Sequence, residues 1–81
     1  MDVMEIIADC ARRNKVVRIQ YTKLTTGETK TYFIEPYSIR QEMYLFGYDT
    51  HEGKIKKFYI PNILDAQETD EEFYPRWPVE F

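Results

Sequence analysis

Met43-Tyr44-Leu45-Phe46-Gly47-Tyr48-Asp49-Thr50-His51-Glu52-Gly53-Lys54-Ile55-Lys56-Lys57-Phe58-Tyr59-Ile60 is the stretch on which the fold of this chain turns. Met43–Tyr48 is apolar on both faces, as a central strand covered on either side would be. Asp49–Gly53 gathers the residues of a tight reversal, and Lys54–Ile60 then resumes an alternating pattern, so the two runs read as a β-hairpin. In the second run Lys56, Phe58 and Ile60 share one face by the two-residue period, while Ile55, Lys57 and Tyr59 share the other. Phe58 and Ile60 nominate their face for the core, which leaves Lys57 and Tyr59 outward. Lys56 then sits at the rim of the sheet, in reach of a pocket at its mouth together with Arg40 and Asn62. Tyr44 is expected in the core.

Working toward the N-terminus, Thr29–Glu35 reads as a strand with Tyr32 and Ile34 opposite Thr31 and Phe33. Pro36 lacks an N–H and is expected to end that strand or to lie on an edge. Thr25–Glu28 supplies a turn, and Val16–Lys23 is a β-branched strand with Val17, Ile19 and Tyr21 on one side. Residues 2–14 read as a helix. Asp2 stands where it can cap the first turn, and Val3, Ile6, Ile7, Cys10 and Ala11 form an apolar stripe. Acids gather early in this helix and bases late, as its dipole favours, and Asn14 suits the left-handed residue that ends it.

Toward the C-terminus, Ile63–Glu68 is expected to be a fifth strand, followed by an acidic patch at residues 68–72 and an aromatic tail over 73–81. The whole chain, 1–81, is therefore expected to be a single domain: a helix over 2–14, a barrel over 16–68 and an acidic then aromatic tail over 69–81. One helix followed by five short sequential strands points to a mainly β domain, a small five-stranded Sm-like or SH3-like barrel, because so few strands must bend round to share a core. A domain of 81 residues buries a thin core, and seven Tyr, five Phe and one Trp supply the bulk it needs.

Few groups are available for chemistry. His51 is the sole histidine and falls in the hairpin turn, and Cys10 lies on the apolar stripe of the helix. No nucleophile–histidine pair, glycine-rich phosphate loop or set of zinc ligands can be assembled from these residues, so we expect no catalysis, no metal and no cofactor. A single cysteine cannot form an internal disulfide, which fits a reducing cytoplasm, and nothing in the sequence resembles a membrane span or a signal peptide. Charge is unevenly spread. Residues 12–60 carry ten Lys or Arg against five acids, whereas the two ends carry one Arg against nine acids, giving −3 in all. A basic middle can present a positive face despite the acidic total.

Four segments kept in order carry a family resemblance: Val16-Val17-Arg18-Ile19-Gln20-Tyr21, then Ile34-Glu35-Pro36-Tyr37, then Met43-Tyr44-Leu45, then Lys54 through Ile63. The set resembles the WYL domain, a family named for a Trp-Tyr-Leu tripeptide, over residues 3 to about 68. Tyr44, Leu45, Phe58 and Ile63 match its pattern. Met43 stands where the family has Trp, and Lys56 and Asn62 stand where it has two Arg. The resemblance implies an Sm-like barrel that binds ligands within larger bacterial proteins such as transcription regulators or helicases, single-stranded DNA being the ligand most often implied. This length leaves no room for a helix-turn-helix or a motor, so a module excised from a larger protein is expected.

The residues make a parallel case. Single-strand binders combine a basic track with aromatic faces on which bases stack. Arg40, Tyr44, Lys54, Lys56, Lys57, Tyr59 and Asn62 are the candidate nucleic-acid-binding residues. Two alternatives stay open. One is a protein-interaction or dimerisation module, because Phe73, Tyr74, Trp77, Val79 and Phe81 must either pack back on the barrel or cover a neighbouring surface, whether of a parent protein or of a second copy. The other is a nucleotide or small-molecule sensor using the barrel mouth.

Overall fold

A computed structural model describes residues 2–81. Helix α1 spans Val3–Arg12, and the Asp2 side chain accepts the Glu5 N–H at 2.8 Å as its N-cap. Ile7, Cys10 and Ala11 are its buried residues, so the apolar stripe faces inward. Asn14 follows with φ 55°, the left-handed conformation expected of it. Five antiparallel strands come next: β1 (Lys15–Thr22), β2 (Thr29–Arg40), β3 (Tyr44–Asp49), β4 (Lys54–Tyr59) and β5 (Ile63–Glu72), with a 3₁₀ turn over Ile60–Asn62 before the last. Their hydrogen-bonded order is β4-β3-β2-β1-β5 in one sheet, so the fold is mainly β with a single N-terminal helix. Among the described residues no ladder joins β4 to β5; the 3₁₀ turn links those two edge strands, and α1 packs on β1, β2 and β5.

Two of the strands run further than their residue types announce. Pro36 does not end β2, which continues to Arg40. The β1–β2 ladder stops at Ile34, so at Pro36 only β3 pairs with β2, and a residue without an N–H deprives no partner on the β1 side. A bulge between Pro36 and Ser38 then inserts Tyr37 and bends the strand. β5 likewise passes Glu68 and carries the acidic residues as an edge strand as far as Glu72. The β1–β5 register slips beside Val16, and there the Thr69 hydroxyl donates to the Val16 carbonyl at 2.7 Å. Arg13 of the helix end bonds both Asp9 and Glu68, tying α1 to the same strand.

The sheet has a core on each face. On the inner face Ile7 and Cys10 of α1 meet Val17, Ile19, Ile34, Leu45, Ile63 and Ala66, and Tyr21, Tyr32 and Phe58 pack edge to face with centroids 5.0–6.2 Å apart. Such pairs contribute about 0.5–1.5 kcal/mol beyond their buried area. On the outer face Val16, Tyr37 and Phe73 form a second cluster, joined by Phe33, Tyr48 and Val79. Gly47 allows β2 and β3 to close up between these layers. A Cβ at that position would lie 3.1 Å from Ile34 Cδ1 and 3.2 Å from the Glu35 carbonyl oxygen.

The segment over 73–81 therefore packs back on its own domain. Phe73 is buried and its N–H donates to the Asn14 carbonyl. Glu80 forms a parallel bridge with Ser38 and donates its N–H to the Tyr37 carbonyl at 2.7 Å, occupying the side of β2 that β1 leaves free. Phe81 reaches the inner core.

Candidate nucleic-acid interface

Strand register decides which candidate residues meet. Arg40 pairs with Tyr44, Tyr44 with Tyr59, Phe46 with Lys57 and Tyr48 with Ile55, and paired residues in an antiparallel ladder point to the same face. Leu45, Gly47 and Asp49 are the buried positions of β3. Tyr44, Phe46 and Tyr48 thus face outward, with Ile55, Lys57 and Tyr59 beside them and Arg40 at the margin. Tyr44 is half-buried on this outer face and not in the core, contrary to the expectation from the apolar run. The Lys57 ammonium lies 4.8 Å from the centroid of the Tyr44 ring, and the Tyr44 and Tyr59 rings are 5.8 Å apart, tilted by 47°. The Tyr59 backbone N–H is taken by the Tyr21 hydroxyl at 3.0 Å, which fixes the end of β4 against the core.

The remaining candidates lie elsewhere. Lys56 pairs with Gly47 and so points to the inner face, as the alternation of β4 implies. It does not share a pocket with Arg40, which stands on the opposite face. Its ammonium is 3.0 Å from Asp49, bonds Glu52 as well and lies 5.0 Å from the Tyr32 ring centroid. Burial opposes the charge on Lys56, yet the bonds to Glu52 and Asp49 prevail and hold it above the usual lysine range. Burial likewise pushes Asp49, only 2% exposed, toward the neutral form; Lys56 and the N–H groups of Glu52 and His51 outweigh it and leave the carboxyl below its ordinary value. This pair closes the β3–β4 turn. Asn62 donates to the Thr22 carbonyl at 2.9 Å and pins the 3₁₀ turn to the end of β1. Lys54 is exposed at the start of β4, 3.9 Å from Glu52. The rim pocket expected to unite Arg40, Lys56 and Asn62 is not formed, because Arg40 shares the outer face with its ladder partner Tyr44, Lys56 points to the inner face with Gly47, and Lys56 and Asn62 are both spent on internal bonds.

Sequence reading passed over a second group. Glu35, 4% exposed, accepts the Tyr37 hydroxyl at 2.7 Å and the Arg76 guanidinium at 3.2 Å. Arg76 in turn lies over the Tyr48 ring at 4.0 Å, and its backbone N–H donates to the Tyr37 oxygen. Trp77 packs on Tyr37 and Tyr48 with centroids 5.2 and 6.2 Å away. The available signal was a lone acid inside the apolar run Ile34-Glu35-Pro36-Tyr37, which on burial demands a cation, and Arg76 as the only base in the acidic C-terminal part. Between this segment and β2–β4 lies an open cleft of about 430 Å³, with Arg40, Phe46, Ile55, Trp77 and Glu80 among its walls.

An N-terminal helix, five antiparallel strands in the order 4-3-2-1-5 and a 3₁₀ turn before the last define a small Sm-like, SH3-like β domain. The chain belongs to the WYL domain family, whose model matches residues 2–68. That family consists of regulatory and ligand-binding domains. The fold is similar to part of Proteasome accessory factor B/C (PafBC) of Arthrobacter aurescens, with a TM-score of 0.80 and 19% identity. The match covers 90% of this chain but only 12% of that one, and at this identity it speaks for the fold alone. No curated protein sequence matches the chain. No helix of the described residues is long and apolar enough to cross a membrane, and no group of three or more His, Cys, Asp or Glu among them is placed to hold a metal ion.

Proposed function

We propose that this domain is a non-catalytic accessory module that binds single-stranded nucleic acid, DNA foremost, on the outer face of β2–β3–β4, within a larger DNA-processing or regulatory protein. The observation that carries the reading is the Lys57–Tyr44–Tyr59 cluster with Arg40 at its margin: two rings and two cations on one face of the β2–β3–β4 sheet. Aromatic faces accept any base by stacking, each worth about 1–3 kcal/mol, while cations beside them follow the phosphates. Membership of a ligand-binding family supports the same reading. Lys56 and Asn62, assigned to this site from sequence, serve the fold in this reading, and Lys54 stays at the edge as a further phosphate contact.

Fluorescence anisotropy with labelled single-stranded oligonucleotides tests it. Binding is expected at low salt and weakens as salt rises. Tyr44→Ala lowers affinity by roughly tenfold, the loss of one stacked base. Arg40→Ala and Lys57→Ala each reduce the slope of log affinity against log salt by about 0.7, one phosphate contact. Lys56→Ala leaves the affinity of the folded protein unchanged. Absence of binding at low salt overturns the proposal.

A further inference from the structure

Arg40, the cation that opens the proposed nucleic-acid face, already holds an anion from its own chain. Its guanidinium donates to Glu80 Oε1 at 2.7 Å, and the two line the same cleft as Phe46, Ile55 and Trp77. We infer that the Glu80 carboxylate is a built-in competitor, seated on Arg40 where a phosphate of the bound strand would sit, so that ligand binding must displace it. The inference rests on the nucleic-acid reading above and adds its regulation.

Three observations separate this contact from an ordinary stabilising ion pair. Both side chains are largely in solvent, 59% exposed for Arg40 and 53% for Glu80. An ion pair so exposed adds about 0–1 kcal/mol to stability, and the fold does not depend on it. The position of Glu80 is fixed instead by its backbone, through the bridge to Ser38 and the N–H donated to the Tyr37 carbonyl, and by Val79 and Phe81 packing on either side of it. The carboxylate is therefore presented to Arg40 whether or not the pair itself contributes. Finally, Arg40 is the ladder partner of Tyr44, so the competing anion engages a cation that borders the aromatic pair directly, at the margin of the same face. A weak internal anion at such a point sets a threshold: a single phosphate or a dilute anion gains little by replacing it, whereas a strand that also stacks on Tyr44 and Tyr59 displaces it readily.

The experiment is a two-residue cycle read by anisotropy with a labelled oligothymidylate at low salt, using the full chain as wild type, Glu80→Gln, Arg40→Ala and the double variant. Gln keeps the bulk of Glu80 and all its backbone bonds, and unchanged thermal unfolding midpoints verify the fold of each variant. Glu80→Gln is expected to bind about two- to fivefold more tightly, the range of an exposed ion pair released. In the Arg40→Ala background the same substitution is expected to change nothing. A gain of equal size in that background means only that a negative charge was removed, and overturns the inference. Equal binding by wild type and Glu80→Gln also overturns it while leaving the nucleic-acid reading intact. Failure of all four proteins to bind overturns both.

Discussion

Glu35 shows at the level of one residue how this chain resolves a local conflict. A carboxylate buried in a strand needs donors, and Glu35 takes one from Tyr37, two residues along the same strand, and the others from Arg76, far away in sequence. Arg76 is held above its usual range chiefly by that bond. Tyr37 is pushed up to about 12, first by its burial, with the Arg76 N–H opposing the shift and Glu35 adding to it. A spectrophotometric titration should therefore contain a late phenolate step near pH 12 that Tyr37→Phe removes. That variant leaves Glu35 short of a donor and should lose about 1–3 kcal/mol, measured by chemical denaturation. The need of Glu35 for a partner was legible from its apolar neighbours. The identity of the partner was not, since 41 positions separate Glu35 from Arg76.

At the scale of elements, the β3–β4 hairpin and its turn were legible because alternation, turn residues and a short loop all act between near neighbours. The same alternation put Lys56 inward with Phe58. It failed for Tyr44, because an apolar run with no polar side carries no phase, and only the ladder with β4 reveals which face points out. Strand ends were also misjudged where a distant element overrides local chemistry, as at Pro36 and along the acidic half of β5. The turn has a measurable signature. Asp49 is held below its ordinary value, so the stability it contributes is present above the unfolded aspartate pKa of about 3.9 and lost as pH falls through the lower folded value. Lys56 is held above its ordinary value, so its contribution is complete below about 10.4 and lost as pH rises through the higher folded value. Denaturation midpoints should accordingly fall at both extremes, and Asp49→Asn should flatten the acid limb. An acid limb unchanged in that variant would refute the assignment.

For the whole molecule, the family match ends at residue 68 while the outer core continues through residues 73–81. Phe73 fills the space between Val16 and Tyr37, and loss of one buried Phe side chain alone costs about 3–5 kcal/mol. A chain ending at Glu68 should therefore be far less stable than the full chain, seen as a lower melting temperature by circular dichroism. An unchanged melting temperature would show the outer cluster to be dispensable. The sequence by itself determined the helix with its cap and apolar stripe, the succession of five strands and the ordered segments of the WYL pattern, because propensity, periodicity and turn chemistry act over a few residues. Tertiary structure alone decided that β2 passes through Pro36, that the 73–81 segment covers the outer face, that Arg76 answers Glu35, and that Arg40 meets Glu80 while Lys56 turns to Asp49. Each of these depends on which strand face meets which distant segment. That choice is made by burial summed over the whole sheet, and no local pattern records it.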